Sequence, residues 1–279
     1  MDGQHRPRPP CRRDPLVAAQ VQIQRNADAT RLCNPKWLAG LVGMLFMIIG
    51  CSGEAKPASD PRRVFRDPTT IELAVAIAAD DASKVRELAK RGADLSARGQ
   101  DEVTLLQWAM LRERPAMVKL LLQTGADPSQ RGFDQMTALH MAAMAKGKPY
   151  LALMLDHGAD PNVRGGRTEA PVLSEALMNG NAEAVALLLA HRANPNLTDR
   201  QGDTPLHIAA QINDYANMLA LLKAGADPTI RNVSGKTFAA YFAIHPKESM
   251  MSWEARSSRQ AVVTWLKEHA VPIEEDKPR

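Results

Sequence analysis

Beyond residue 51 this 279-residue chain contains no cysteine; its three cysteines are Cys11, Cys33 and Cys51. The long stretch that follows therefore holds neither a disulfide nor a thiolate zinc site, and its fold rests on packing alone. Catalytic motifs are missing too. There is no Gly-x-Ser-x-Gly elbow, phosphate-cradling glycine loop or His-Glu-x-x-His pair. His157, His191, His245 and His269 fall at predicted helix ends or connections, without the spacing of metal ligands. A positive charge near a helix C-terminus is a sufficient structural role for such residues. Arg164-Gly165-Gly166-Arg167 looks like a phosphate loop in composition, but does not lead directly into a strand-to-helix unit. No nucleophile–base constellation can be assembled, so the expectation is a non-enzyme that needs no cofactor and no metal. An excess of one charge is also lacking where it would matter. Of 35 Lys/Arg and 31 Asp/Glu, the first 50 residues carry seven and three, leaving 28 of each sign in the rest. The sequence pI near 9.0 thus gives no reason to expect a nucleic-acid partner.

What the chain has instead is one phrase written five times. It reads Arg91-Gly92-Ala93-Asp94, Thr124-Gly125-Ala126-Asp127-Pro128, His157-Gly158-Ala159-Asp160-Pro161, Arg192-Ala193-Asn194-Pro195 and Ala224-Gly225-Ala226-Asp227-Pro228. Taking the Gly, or Arg192, as marker, the steps are 33, 33, 34 and 33 residues. A fixed period of this length signals stacked supersecondary units and not a globule around one central site. Each marker ends an apolar segment with helical spacing, such as Val118–Leu122, Val185–Leu189 and Met218–Leu222. Glycine there can take the left-handed conformation that closes a last turn, and the following proline stops continuation. Arg192 lacks that freedom, which predicts either a strained left-handed residue or a shifted cap.

A second phrase precedes these helices in register. It is clearest at Thr204-Pro205-Leu206-His207-Ile208-Ala209-Ala210, and recurs at Thr137–Ala143 and Thr104–Ala109. Weaker versions begin at Ile71, Pro171 and Thr237. Threonine can cap a helix start, proline suits its first position, and alanines let two helices approach closely.

With both phrases at this separation, the chain resembles the ankyrin repeats over about residues 67–279. The resemblance implies an all-α solenoid of about six helix-turn-helix repeats with outward β-hairpin fingers. The units are expected to start near Asp67, Gln100, Phe133, Arg167, Arg200 and Val233. It also gives His140 and His207 a structural task, hydrogen-bonding neighbouring turns. The last unit departs from the pattern. Its second helix is expected at Arg259–His269, after an insertion at 245–256 that reads either as part of a cap or as a partner-specific loop.

Residues 1–50 form a leader. Lys36 is followed by an apolar h-region, 37–50, too short for a comfortable membrane span. Ile48-Ile49-Gly50-Cys51 resembles a bacterial lipobox, which implies cleavage before Cys51, lipid attachment there and a periplasmic, lipid-anchored protein. Ser52, in place of the Asp linked to inner-membrane retention, favours the outer membrane. The competing reading is an uncleaved signal anchor. The Arg- and Pro-rich residues 1–35 make an unusually long preface, so translation is expected to start nearer the h-region, with Leu32 a candidate. Residues 51–66 are polar and proline-containing and read as a flexible tether.

Partners of this family dock on finger tips and on the exposed surface of the first helices, the concave face. In the present register those places hold Leu111, Arg112, Phe133, Met136, Met144, Arg167, Met178, Arg200, Gln211 and Ile212. Phe133, Met136, Met144 and Met178 form a candidate adaptable apolar strip flanked by arginines. Arg98, Arg131, Arg164 and Arg231 recur near the fingers, either favouring an acidic partner or serving as solvated turn charges. The layout is similar to immunity lipoproteins encoded beside type VI secretion phospholipase toxins. It therefore implies a protein-binding module whose partner is a phospholipase toxin; the alternative is an envelope scaffold or stress-protection protein binding endogenous periplasmic partners.

Overall fold

The computed structural model describes residues 60–272 and 277–278. The leader with its h-region, the lipidation candidate Cys51 and the tether through residue 59 lie outside the described residues. Thirteen helices follow one another among those described: α1 (Pro61–Val64), α2 (Pro68–Ala78), α3 (Ala82–Lys90), α4 (Leu105–Leu111), α5 (Pro115–Gln123), α6 (Ala138–Met144), α7 (Tyr150–Asp156), α8 (Val172–Met178), α9 (Ala182–Ala190), α10 (Pro205–Gln211), α11 (Tyr215–Lys223), α12 (Phe238–Phe242) and α13 (Trp253–Glu268). From α2 onward they fall into six pairs. The first helices α2, α4, α6, α8, α10 and α12 pack side by side in chain order, and the second helices α5–α7, α9–α11 and α11–α13 do the same behind them. The ankyrin-type solenoid expected from the 33-residue period is the fold observed.

Local chemistry explains each boundary. Thr104, Thr137 and Thr204 cap α4, α6 and α10 by accepting the backbone N–H three residues on, and Asp67 does so for α2. The Asp or Asn of the Gly-Ala-Asp phrase starts the finger with an Asx turn. Asp94, Asp127, Asp160, Asn194 and Asp227 each accept the N–H two residues on at 2.8–2.9 Å. Apolar residues of the paired helices then fill a continuous core, from Phe65 and Leu73 through Leu121, Leu139, Met154 and Leu173 to Phe238 and Phe242.

Arg192 takes the left-handed conformation, with φ of 63°, and keeps the closing bond from Ala193 N–H to Leu188 O at 2.9 Å. A side chain in that region costs about 1–2 kcal/mol, part of which glycine returns as unfolded-chain entropy. Arg192→Gly is therefore expected to raise stability by about 0.5–1 kcal/mol, visible as a later denaturant midpoint at unchanged slope. The same geometry reveals a sixth marker that the sequence pattern did not. Ala270 has φ of 54°, and Val271 N–H donates to Leu266 O at 2.9 Å, so His269-Ala270-Val271-Pro272 closes the last unit.

Two expectations need correction. The last second helix starts at Trp253, six residues before Arg259, because Ser252 caps it by accepting the N–H of Ala255. The insertion is correspondingly shorter. It folds onto the last unit through buried Met251, while Met250, and Trp253 at the start of α13, stay exposed. Secondly, residues 60–66 are not tether: α1 forms there, and Phe65, 1% exposed, meets the Trp108 ring edge-on. The expected fingers are present with short ladders. One is a short antiparallel pair, β1 (Arg164–Gly165) with β2 (Ala170–Pro171), and two have single bridges, Arg98 with Thr104 and Arg131 with Thr137. The last unit adds a parallel pair, β3 (Ile244–His245) with β4 (Lys277–Pro278). Among the described residues no helix is long and apolar enough to cross a membrane.

Candidate partner-binding face

Helical register places Leu111, Met144, Met178 and Gln211 at one and the same position, seven residues after the cap, on the four adjacent first helices α4, α6, α8 and α10. Arg112 and Ile212 stand one residue further on. Leu111, Met178 and Ile212 are 46, 40 and 46% exposed, and Met144 is half-buried. Three of the four residues at this register position are apolar, so they form a row and not scattered singles.

Met136 does not belong to it. At 8% exposed it lies in the core, as does its counterpart Val103, because the residue just before a helix cap turns inward to pack on the first turn. Its carbonyl is further pinned by Gln107 Nε2 at 3.0 Å. Phe133 is half-buried at its finger, with its N–H bonded to Gln107 Oε1 at 3.0 Å.

The arginines are already engaged. Arg112 lies 5.4 Å from the Trp108 ring centroid, Arg167 pairs with Asp134 at 2.5 Å, and Arg200 sits 3.6 Å from Glu169. Gln211 donates to Asp203 at 3.0 Å. Along the fingers, Arg98 pairs with Glu102, Arg131 forms two 2.5 Å bonds to Glu169, Arg164 donates to the carbonyls of Glu169 and Thr198, and Arg231 donates to that of Gly235. Arg131 holds the Glu169 carboxyl below the usual carboxylate range. These cations are engaged within a finger or between fingers, so they give no independent reason for an acidic partner.

Behind the row runs a chain of bridges between units. His140 Nε2 bonds Ala170 O at 3.0 Å and His207 Nε2 bonds Lys236 O at 3.1 Å. A carbonyl can only accept, so each Nε2 carries the proton and each Nδ1 is left to accept from the capping threonine, 2.8 Å away. Gln107 reproduces the arrangement one unit earlier, with Nε2 donating to Met136 O and Oε1 accepting from Thr104 N–H at 3.1 Å. The structural task expected of both histidines is the one they perform.

Unit four breaks both rules at once. In α8 the bridging position is Ser174, too short to reach the next unit; it is 1% exposed and its hydroxyl has no hydrogen-bond partner among the described residues. The next residue, Glu175, stands where the other first helices carry Ile71, Trp108, Met141, Ile208 and Tyr241. Burial, with a smaller contribution from Asp134, pushes its carboxyl up to about 7. Sequence reading passed over Glu175 because the phrase around it is degenerate; its misplacement shows only once the register is fixed. No group of His, Cys, Asp or Glu among the described residues could hold a metal ion.

The family model described as ankyrin repeats (3 copies) matches residues 73–165 and 166–232. Among solved structures, an ankyrin repeat domain from Acinetobacter baumannii AYE, ABAYE2397, is 25% identical with a TM-score of 0.57, over 69% of this chain and 96% of that one. A chain of the complex between the predatory endopeptidase Bd0816 from Bdellovibrio bacteriovorus and the immunity protein Bd3460 is 23% identical with a TM-score of 0.52, over 69% of this chain and 97% of that one. No curated protein sequence matches the chain.

Proposed function

The chain belongs to the ankyrin-repeat family, whose fold is a protein-interaction scaffold, and we propose that it is an immunity protein that grips and silences an envelope-directed toxin enzyme. The observation that carries this reading is the row of exposed Leu111 and Met178 with half-buried Met144 between them at one register position of adjacent first helices, extended by exposed Ile212 just past the end of α10, an apolar surface that solvent contact alone would not favour. A solenoid offers no enclosed site for chemistry of its own, but a long face suited to covering another protein. The occurrence of this fold in an endopeptidase–immunity protein complex supports the immunity role. The lipobox-like Ile48–Cys51 supports anchoring at the periplasmic leaflet of the outer membrane through Cys51, and that location makes a phospholipase delivered by type VI secretion the toxin of choice. An anchored inhibitor would meet such an enzyme at high effective concentration beside its lipid substrate.

The reading is tested by placing a photo-crosslinking p-benzoylphenylalanine at position 178 or 212 of the full chain in cells challenged by toxin-delivering competitors, with position 119 on α5 as control. Adducts are expected with the incoming enzyme from 178 and 212 and not from 119. Leu111→Asp with Met178→Asp should weaken binding at least about 30-fold, roughly 2 kcal/mol, without lowering the thermal transition, because both side chains are exposed in the free protein. Adducts with resident envelope proteins only would assign the scaffold role instead.

A further inference from the structure

Glu175 is an ionisable side chain on the partner-facing helix α8 that nothing in the molecule uses. Among the described residues no hydrogen bond or ion pair holds its carboxyl. The cation Arg167 is committed to Asp134, and the ring nitrogens of His140 and His207, on the flanking α6 and α10, are spent on their own bridges. Glu183, on the paired helix α9, is exposed to solvent. Asp134 reaches Glu175 only as a repulsive like charge. A half-buried carboxyl in this setting costs stability, and it adjoins Ser174, which has given up the inter-unit bridge. Two adjacent departures from local packing rules in one helix mark a place shaped for something other than folding.

We infer that Glu175 is the specificity determinant of this face, and that it receives a lysine or arginine side chain of the protein partner, whose cation pairs with the carboxylate while its methylene stem lies along Met144, Met178 and Ile212. The charge pattern selects this chemistry. With Asp134 already paired to Arg167, the Glu175 carboxylate is the charge left to be matched, the surrounding first-helix positions Met141 and Ile208 are apolar, and a long cationic side chain is the residue type that satisfies both at once. A charge-assisted bond formed in a half-buried setting is worth more than one on an open surface, and it discriminates against partners that present an apolar or acidic group there. This inference rests on the partner-binding reading of the same face and adds the chemistry of the contact.

The test uses n-butylguanidinium, an arginine side chain without its backbone, with the full chain carrying 13C in its glutamate carboxyls. With about 50 mM probe, the titration midpoint of the Glu175 carboxyl is expected to fall by about one pH unit, a tenfold preference for the ionised form. Guanidinium alone and n-butanol, each supplying half of the chemistry, should move it at least about threefold less, and Met178→Ser should reduce the shift. A midpoint that stays put, or that guanidinium alone moves equally, overturns the inference. With the partner identified by crosslinking at 178, Glu175→Gln should weaken binding at least about tenfold. Binding that survives Glu175→Gln unchanged sinks this inference and leaves the partner-binding reading standing; no adduct at 178 or 212 sinks that reading first.

Discussion

At pH 4.5, His140→Gln is expected to be more stable than the parent chain by about 2.5 kcal/mol, and at pH 7.5 the two should agree within about 1 kcal/mol. The imidazole is fully buried and neutral, donating from Nε2 to Ala170 O and accepting at Nδ1 from Thr137 Oγ1. Burial therefore lowers its pKa from 6.5 to about 4. A depressed histidine contributes its full stabilisation above the unfolded pKa and loses it as the pH falls from 6.5 toward 4, because the unfolded chain takes the proton first. The molecule already contains the remedy. Gln107 makes the same inter-unit bridge at the same register position without a titrating group. Urea unfolding of both proteins at the two pH values measures the difference directly. His140→Ala, which loses bridge and volume together, should cost about 3–4 kcal/mol at pH 7.5 and about 2.5 kcal/mol less at pH 4.5, where the parent has already lost its titration-linked stability. If the glutamine variant tracks the parent at pH 4.5, the acid-sensitive group lies elsewhere.

How much of this was legible beforehand varies with the kind of feature. Capping threonines, Gly-Ala-Asp turns and bridging histidines were readable because each must recur every 33 residues for units to stack, so five imperfect copies correct one another. Arg192 was identifiable, for the same reason, as either a left-handed residue or a shifted cap, and the backbone decides for the first. Irregular elements lacked that redundancy. Ala270 escaped notice because the insertion displaces it from the period, and Phe65 because it ends a helix that precedes the first unit. Met136 was misplaced by rotation about the finger: as an apolar residue one step before a cap it is a staple, indistinguishable by composition from a surface anchor. Glu175 was in plain view, yet its significance depends on a column of apolar counterparts visible only after alignment on the caps.

Removing the charge at that column gives the second large effect, with the opposite dependence on pH. Burial raises the Glu175 carboxyl from 4.5 to about 7. A carboxyl raised on folding lends its stability below the unfolded pKa and loses it as the pH climbs from 4.5 to 7, because the unfolded chain releases its proton first. The full shift corresponds to about 3 kcal/mol, and because the side chain is only half-buried, solvent screening reduces this to about 2 kcal/mol. Glu175→Gln is thus expected to be more stable than the parent by about 2 kcal/mol at pH 8 and equal to it near pH 4. Between pH 4.5 and 6.5 the His140 and Glu175 slopes have opposite signs and largely cancel, so these two groups leave the parent nearly flat there. Each single variant then unmasks the other: the Glu175 variant should lose stability on acidification through this range, and the His140 variant should gain it. A residue that lowers stability at neutral pH and whose removal weakens partner capture is spending fold stability on recognition. Equal stability of Glu175→Gln and parent at pH 8 would place the carboxyl in contact with solvent and remove that trade-off.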